Sequence, residues 1–233
     1  MAPTQPGQAT RIREITDAGD SGLKDAYALL TTAFRRAERV PLREWKNSIN
    51  EKSQRLLADV AWHLLVATRR GKVVGLISGT YLGNVNIGVI GYLTIAHEER
   101  SSGIATRLRA SLRRRFEKDA LRINGRPLNS IAGEVSDENP WLRSLAKRPN
   151  VIVLDFPYYQ PRLSVRGETI RFHFYLESIV PRRRRIPVSE VKRILYTIWR
   201  RIYRVSRPLD SPEFRGMIRA LEQRRTVKEF TPE

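Results

Sequence analysis

Apolar and polar positions follow two rhythms along the 233-residue chain. Residues 11–17 alternate one by one, the period of a half-buried strand. After Asp20 or Ser21, either of which can cap a helix, Leu23, Ala26, Tyr27, Leu30 and Phe34 recur every three or four residues. Pro41 suits the first turn of a second helix to about Gln54, with Trp45, Ile49, Leu56 and Leu57 inward. Residues 63–83 are rich in Leu, Val and Ile around Arg70-Gly71-Lys72 and predict a hairpin. A third strand is predicted at 86–96, where Gly88 and Gly91 suggest a bulge or a close approach by another element. A long amphipathic helix follows from Gly103 to Arg122, then a buried strand at 128–136 and a short helix opened by Asn139 and Pro140. Strands at 150–159 and 168–180 flank a rigid turn at Pro157 and Pro161. The order β-α-α-β-β-β-α-β-α-β-β predicts an α/β (α+β) fold, a mixed sheet with helices on its faces. Beyond it, Val188, Val191, Ile194, Leu195, Ile198, Trp199, Ile202 and Tyr203 form one stripe of a helix over 188–205, and a shorter helix spans 212–223.

Three segments follow from this pattern: a polar, flexible start at 1–10, one domain at 11–180, and a basic helical extension at 181–233. Apolar residues make up 41% of the chain, as in a globular protein. No apolar run approaches the ~18 residues of a membrane span, and the start lacks the charged and apolar regions of a secretory signal. Cysteine is absent, which excludes disulfides and thiolate metal sites. The histidines at 63, 97 and 173 lack metal-ligand spacing, so no metal is expected. These features favour a cytoplasmic protein. The net charge of +19 implies attraction to polyanions. Residues 181–233 carry 15 of the 43 Lys/Arg but only 6 of the 24 Asp/Glu, nearly half of the excess. The striped helix has three candidate partners: the domain itself or a twin subunit in a homodimer, an anionic membrane surface, or nucleic acid.

The chemistry-bearing stretch is Tyr92 to Phe116. A buried strand hands over to the long helix through Arg100-Ser101-Ser102-Gly103-Ile104-Ala105, almost all small residues. A helix start has unpaired N–H groups and partial positive charge, so small residues leave it open to an anion. The alternative is a tight turn with ordinary serine capping. Strand, Arg-x-x-Gly-x-Ala and helix, late in this element order, resemble the Gcn5-related N-acetyltransferases (GNAT) over about residues 11–180. Arg100, Gly103 and Ala105 carry the motif, with Leu93 and Ile95 before it and Leu108 after it. Ser101 stands where the family often has another glycine.

The resemblance implies acetyl-coenzyme A as cofactor, with the pyrophosphate on the backbone amides of Ser101, Ser102, Gly103, Ile104 and Ala105, the Arg100 guanidinium beside them, and Thr106 also at the cofactor. It further implies that Leu93, Thr94 and Ile95 hydrogen-bond the pantetheine arm, that the Ile95 amide faces the thioester oxygen, and that Asn139 contacts the arm. Arg107 or Arg109 could meet the 3′-phosphate or simply remain solvated helix charges.

Acetyl transfer to an alkyl amine must remove a proton from a group of pKa ~10.4, a cost of roughly 4–5 kcal/mol at pH 7. A base therefore matters more than an acid. Glu134, among apolar strand neighbours, is the leading candidate, ahead of Glu98, Glu99, Asp137, Glu138 and His97. The family often places an acidic tyrosine near position 146, where this chain has Ala146. The remaining phenols are Tyr92, Tyr158, Tyr159 and Tyr175, of which Tyr158 and Tyr159 follow Pro157 toward an acceptor pocket. The expected function is acetyl transfer to an amine-bearing acceptor in a ternary complex. The alternative is a catalytically weak protein of the same fold that binds nucleic acid or anionic membrane, or acts as a scaffold.

Overall fold

The computed structural model describes residues 9–163, 169–179 and 183–230. Most of the expected flexible start lies outside them, as do the first two residues of the basic run at 181–185 and the last three of the chain. One sheet holds β1 (Arg11–Glu14), β2 (Val60–Arg69), β3 (Lys72–Leu82), β4 (Ile87–Ile95), β5 (Ser130–Val135), β6 (Val151–Val153), β7 (Tyr158–Gln160) and β8 (Ile170–Ser178). Its spatial order is β1-β2-β3-β4-β5-β8-β6, with β7 also paired to β8. The helices are α1 (Ser21–Ala33), α2 (Leu42–Ser53), α3 (Ile104–Asn124), α4 (Trp141–Ala146), α5 (Val188–Arg201) and α6 (Pro212–Glu222).

Local chemistry sets these elements. The Asp20 carboxylate caps α1 by accepting from the Gly22 N–H at 2.8 Å. Arg70 and Gly71, both at positive φ, make the two-residue turn whose twist suits a hairpin. Alternation along the strands divides the core. Leu64, Val66 and Leu76 face α1 and α2, while Leu65, Ala67 and Ile77 face α3. From β4 onward Val89, Ala132, Phe174 and Leu176 meet α5 and α6, and Val135, Val151 and Val153 meet α4.

Gly88 faces α3, so its neighbour Val89 faces the opposite side, the side of α1 and α2. The extension therefore covers the same face of the sheet as α1 and α2, next to them. Its stripe docks on the chain's own sheet: Val191, Ile194, Leu195, Ile198 and Trp199 are all buried there. Two strands unmarked in the sequence, β9 (Arg185–Pro187) and β10 (Thr226–Lys228), pair with each other, and the Phe230 N–H reaches the Val153 carbonyl at 2.7 Å.

Three expectations need correction. The strand predicted at 150–159 is two, β6 and β7, because Pro157 has no N–H for the ladder and the chain bends around it. Leu56 and Leu57 do not continue the buried face of α2: the helix ends at Ser53, Arg55 takes φ 55°, and Leu56 is 63% exposed. The helix expected over 188–205 stops at Arg201, short of a left-handed residue at Arg204.

All pairings in the main sheet are antiparallel except β4 with β5. That parallel contact has three rungs, Ile87 with Ser130, Gly88 with Ile131 and Val89 with Ala132. Beyond Val89 the two strands part. Gly91 is the extra residue of a bulge, since Ser78 faces Tyr92 while Gly79 faces Ile90. Gly88 serves close packing: a Cβ there would lie 2.1 Å from the Phe116 ring of α3. Gly88→Ala should therefore cost about 1–3 kcal/mol in urea unfolding. Adding Phe116→Leu should recover part of that loss; strict additivity of the two changes would contradict the contact.

Candidate functional site

The parting of β4 from β5 leaves backbone groups without strand partners. The Ala96 N–H donates to the Val74 carbonyl at 2.9 Å, which phases the β3–β4 ladder. In an antiparallel pair bonded and non-bonded positions alternate, so Leu93 and Ile95 turn their N–H and C=O groups away from β3 and toward the opening. Thr94, between them, is bonded to β3 and its side chain is buried.

The loop after β4 ends at the same opening. Ser101 and Gly103 have φ values of 63° and 77°. Gly103 is the N-cap of α3 and no side chain caps the helix start. Nothing lies within 4 Å of the position a Gly103 Cβ would take. Ser102 Oγ donates back to the Glu99 carbonyl at 2.5 Å, and Ile104 is buried, so the loop is tied down from behind while its amides stay open. Ala105 and Thr106 form the first turn of α3, and the exposed Arg100 stands at the loop's start. Arg107 donates to the Thr10 carbonyl at 2.9 Å. Arg109 pairs with Glu177 at 2.6 Å and lies over the Trp141 ring, so both arginines have partners within the chain.

On the α1, α2 and α5 face the opening widens into a cleft of about 820 Å³. Its walls include Trp45, Gly91, Arg100, Glu134, Asn139 and Tyr203. Asn139 Oδ1 accepts from the Trp141 N–H at 3.0 Å, which orders the turn into α4. Gly133 faces Tyr175 on the α4 side, so Glu134 projects to the cleft side. Tyr158 donates a short hydrogen bond to Glu134 Oε1, and Tyr203 Oη lies 2.7 and 2.8 Å from Oε1 and Oε2. Burial raises the Glu134 carboxyl above its ordinary range, and the two phenol hydrogen bonds offset only part of that effect. Burial and then the Glu134 charge push both phenols well above theirs.

Of the other sequence candidates, Tyr92 and Glu138 share the cleft wall and the rest fall elsewhere. Tyr159, next to Tyr158 on β7, does not bond Glu134: it packs against the core cluster shared with α5 and α6, with its N–H on Met217 Sδ at 3.2 Å. Tyr158 is fully buried behind Glu134 and reaches the cleft only through it. Tyr92 accepts from the Val40 N–H at 3.0 Å and donates to the Glu38 carbonyl at 2.8 Å, holding the α1–α2 connection. Tyr175 is buried beside Arg109. Glu99 pairs with Arg69 at 2.5 Å, Asp137 bonds His173, and His97 and Glu98 are exposed. Glu138 lines the cleft. In the sequence Tyr203 shows only as part of the apolar stripe. The available signal is that a buried tyrosine needs a partner for its hydroxyl, which a phenylalanine would not.

Against this geometry, solved structures supply the fold. A structure from Bacteroides thetaiotaomicron described as a GNAT-family acetyltransferase superposes with a TM-score of 0.60 at 14% identity, covering 84% of this chain and 99% of that one. One from Staphylococcus epidermidis ATCC 12228, described as an acetyltransferase, gives 0.54 at 10% identity over 74% and 100% of the two chains. A GNAT-family acetyltransferase from Staphylococcus aureus MU50 gives 0.50 at 12% identity over 74% and 100%. No protein-family model matches the chain. No curated protein matches it either. The architecture is the GNAT fold, and at these identities the likeness extends to the fold alone.

A carboxyl whose folded-state value is raised contributes stability that is full below its ordinary 4.5 and is lost as pH rises through the raised value. Glu134→Gln removes that loss. The variant should melt above the wild type at pH 8, by roughly 2–4 °C for each kcal/mol relieved. The gap should close toward pH 4 in thermal denaturation. A gap independent of pH would mean that the carboxylate is not under strain.

Proposed function

We propose that this GNAT-fold chain is an N-acetyltransferase that takes acetyl-coenzyme A and a primary amine into one ternary complex. The observation that carries this reading is the junction of two openings. An uncapped helix start with a bare Gly103 leads along unpaired amides of β4 into a cleft that ends on a carboxylate.

The residues fit the cofactor by their chemistry. The amides of 101–106, with Arg100 beside them, suit a diphosphate, and Leu93 and Ile95 offer main-chain groups to an amide-bearing arm such as pantetheine. Asn139 lies on the opposite wall. When bound, the cofactor supplies an activated acyl thioester. The Ile95 N–H is the donor available to its carbonyl oxygen. Glu134 would draw the acceptor's ammonium into the cleft and accept the proton whose loss frees the nitrogen lone pair; the second N–H proton, lost once the N–C bond has formed, would leave with the thiolate released from the broken C–S bond. A raised carboxyl suits that task better than an ordinary one. The leaving sulfur, pKa ~8.5 as a thiol, needs little acid help near neutral pH.

A basic surface disfavours polycationic acceptors and suits an amine that also carries acidic groups. The polyanion-binding alternative has less free charge to draw on than the sequence suggests. In the extension Arg183, Lys192, Arg201 and Arg204 are paired with Glu190, Glu222, Asp59 and Glu51.

The test is acetyl-coenzyme A binding by thermal shift and calorimetry, together with thiol release against a panel of amines. Gly103→Asp should weaken cofactor binding ~10-fold or more by placing a carboxylate where the diphosphate sits. Glu134→Gln should leave cofactor affinity within twofold and lower kcat ~100-fold or more at pH 7. Wild-type protein that binds no acetyl-coenzyme A, or a Gly103→Asp variant that binds it normally, overturns the reading.

A further inference from the structure

The extension does more than cover the sheet, because one of its side chains enters the cleft. Tyr203 lies two residues beyond the end of α5. Its N–H donates to the Ile198 carbonyl at 3.2 Å, and the Val205 N–H returns to the Trp199 carbonyl at 3.0 Å. Between these two bonds Arg204 reverses the chain at φ 56°. Its guanidinium grips the Glu51 carboxylate of α2 at 2.7 and 2.8 Å and reaches Ser48 at 3.3 Å. Arg201 pairs with Asp59 at 3.1 Å. The segment is thus pinned to the α2 side of the cleft, while its tyrosine reaches across to β5.

The hydroxyl has a single proton and sits almost equally far from both oxygens of Glu134, while Tyr158 donates to Oε1 from the β7 side. The groups that face the carboxyl are these two phenols and, from β4, the Tyr92 phenol; all three are neutral. Among the described residues no cation pairs with Glu134. A phenylalanine at 203 would complete the apolar stripe equally well, so the hydroxyl is not needed for packing.

We propose that Tyr203 is a positioning residue supplied by the C-terminal extension: it fixes the Glu134 carboxylate in the cleft and, with Tyr158, sets the pH at which that carboxylate accepts a proton from the acceptor. This rests on Glu134 being the proton acceptor of the proposed transfer. A donor removed from an ionised carboxylate raises its pKa, so the sign of the effect is fixed.

The experiment is Tyr203→Phe, which keeps the ring. The Glu134 side-chain carboxyl is titrated by NMR in 13C-glutamate-labelled protein without substrate, its signal assigned by loss in Glu134→Gln. The pH profile of kcat/KM is measured in parallel. The midpoint should rise in Tyr203→Phe and the acid limb of the profile should move up with it. Activity should then fall ~10-fold below the wild-type midpoint and largely recover at high pH, with the KM for acetyl-coenzyme A within twofold. Glu51→Gln, which loosens the Arg204 anchor but keeps the hydroxyl, should give a smaller displacement in the same direction, and it serves if Tyr203→Phe folds poorly. An unmoved NMR midpoint, or a uniform loss of rate at every pH, overturns the role of Tyr203. Wild-type protein that turns over with no amine overturns the acetyl-transfer reading instead, and the substrate-free titration separates the two results.

Discussion

The candidate site depends on main-chain hydrogen bonds that the middle of the sheet does not make. Backbone donors and acceptors away from water are costly to leave unpaired, and sheets satisfy them by extending their ladders. Here β4 and β5 pair over three rungs and then separate, with four strands on one side of the break and the rest on the other. Such a gap persists only if each half is held without the missing rungs. Trp45, Leu64 and Leu76 on one face and Leu112, Phe116 and Ile77 on the other consolidate the β1–β4 half. Phe174, Trp199 and Phe214, with Val151 and Leu145 opposite, consolidate the β5–β8 half. The gap is a consequence of two well-packed halves meeting along one short seam.

Charge placement follows the same division. Two glutamates of the same sheet are driven in opposite directions by their neighbours. Burial alone would raise Glu14 on β1, but His63 at 2.7 Å and Lys52 at 2.6 Å outweigh it and hold the carboxyl at about 2. Glu134 has burial without a compensating cation among the described residues, and its two phenol donors leave it raised. The first arrangement is structural, since it ties β1 to β2 and α2. The second leaves a carboxyl that gains from any proton or cation brought to it, beside the point where β4 and β5 part.

Much of this was legible in the sequence because it is local. The Arg70-Gly71 turn, the Asp20 cap, the small-residue loop at 100–105 and the stripe of α5 are read within a few residues. Gly88 and Gly91 mark the strand that opens, one by admitting Phe116 and the other as a bulge. What escaped was long-range. Tyr203 and Glu134 are 69 positions apart, and no periodicity links a helix end to a strand so distant. Tyr158 and Tyr159 were indistinguishable by composition. Strand alternation brings only Tyr158 to Glu134, and that phase is set only once β7 pairs with β8.

The basic extension is the clearest case of composition needing structure to interpret it. An excess of arginine suggests an external polyanion. Yet Arg201 and Arg204 meet Asp59 and Glu51, acids contributed by the N-terminal part of the chain, on the far side of the cleft from β5. Exposed ion pairs of this kind contribute little to stability one by one. Their consequence is geometric: they decide where the end of α5 lies relative to α2, and so where Tyr203 points. The hydrophobic stripe, with Ile198 and Trp199 buried, provides the affinity of the extension for the sheet. The arginines provide its register. Both act on one hydroxyl, and through it on the carboxyl at the mouth of the gap, which makes the extension part of the site as much as part of the fold.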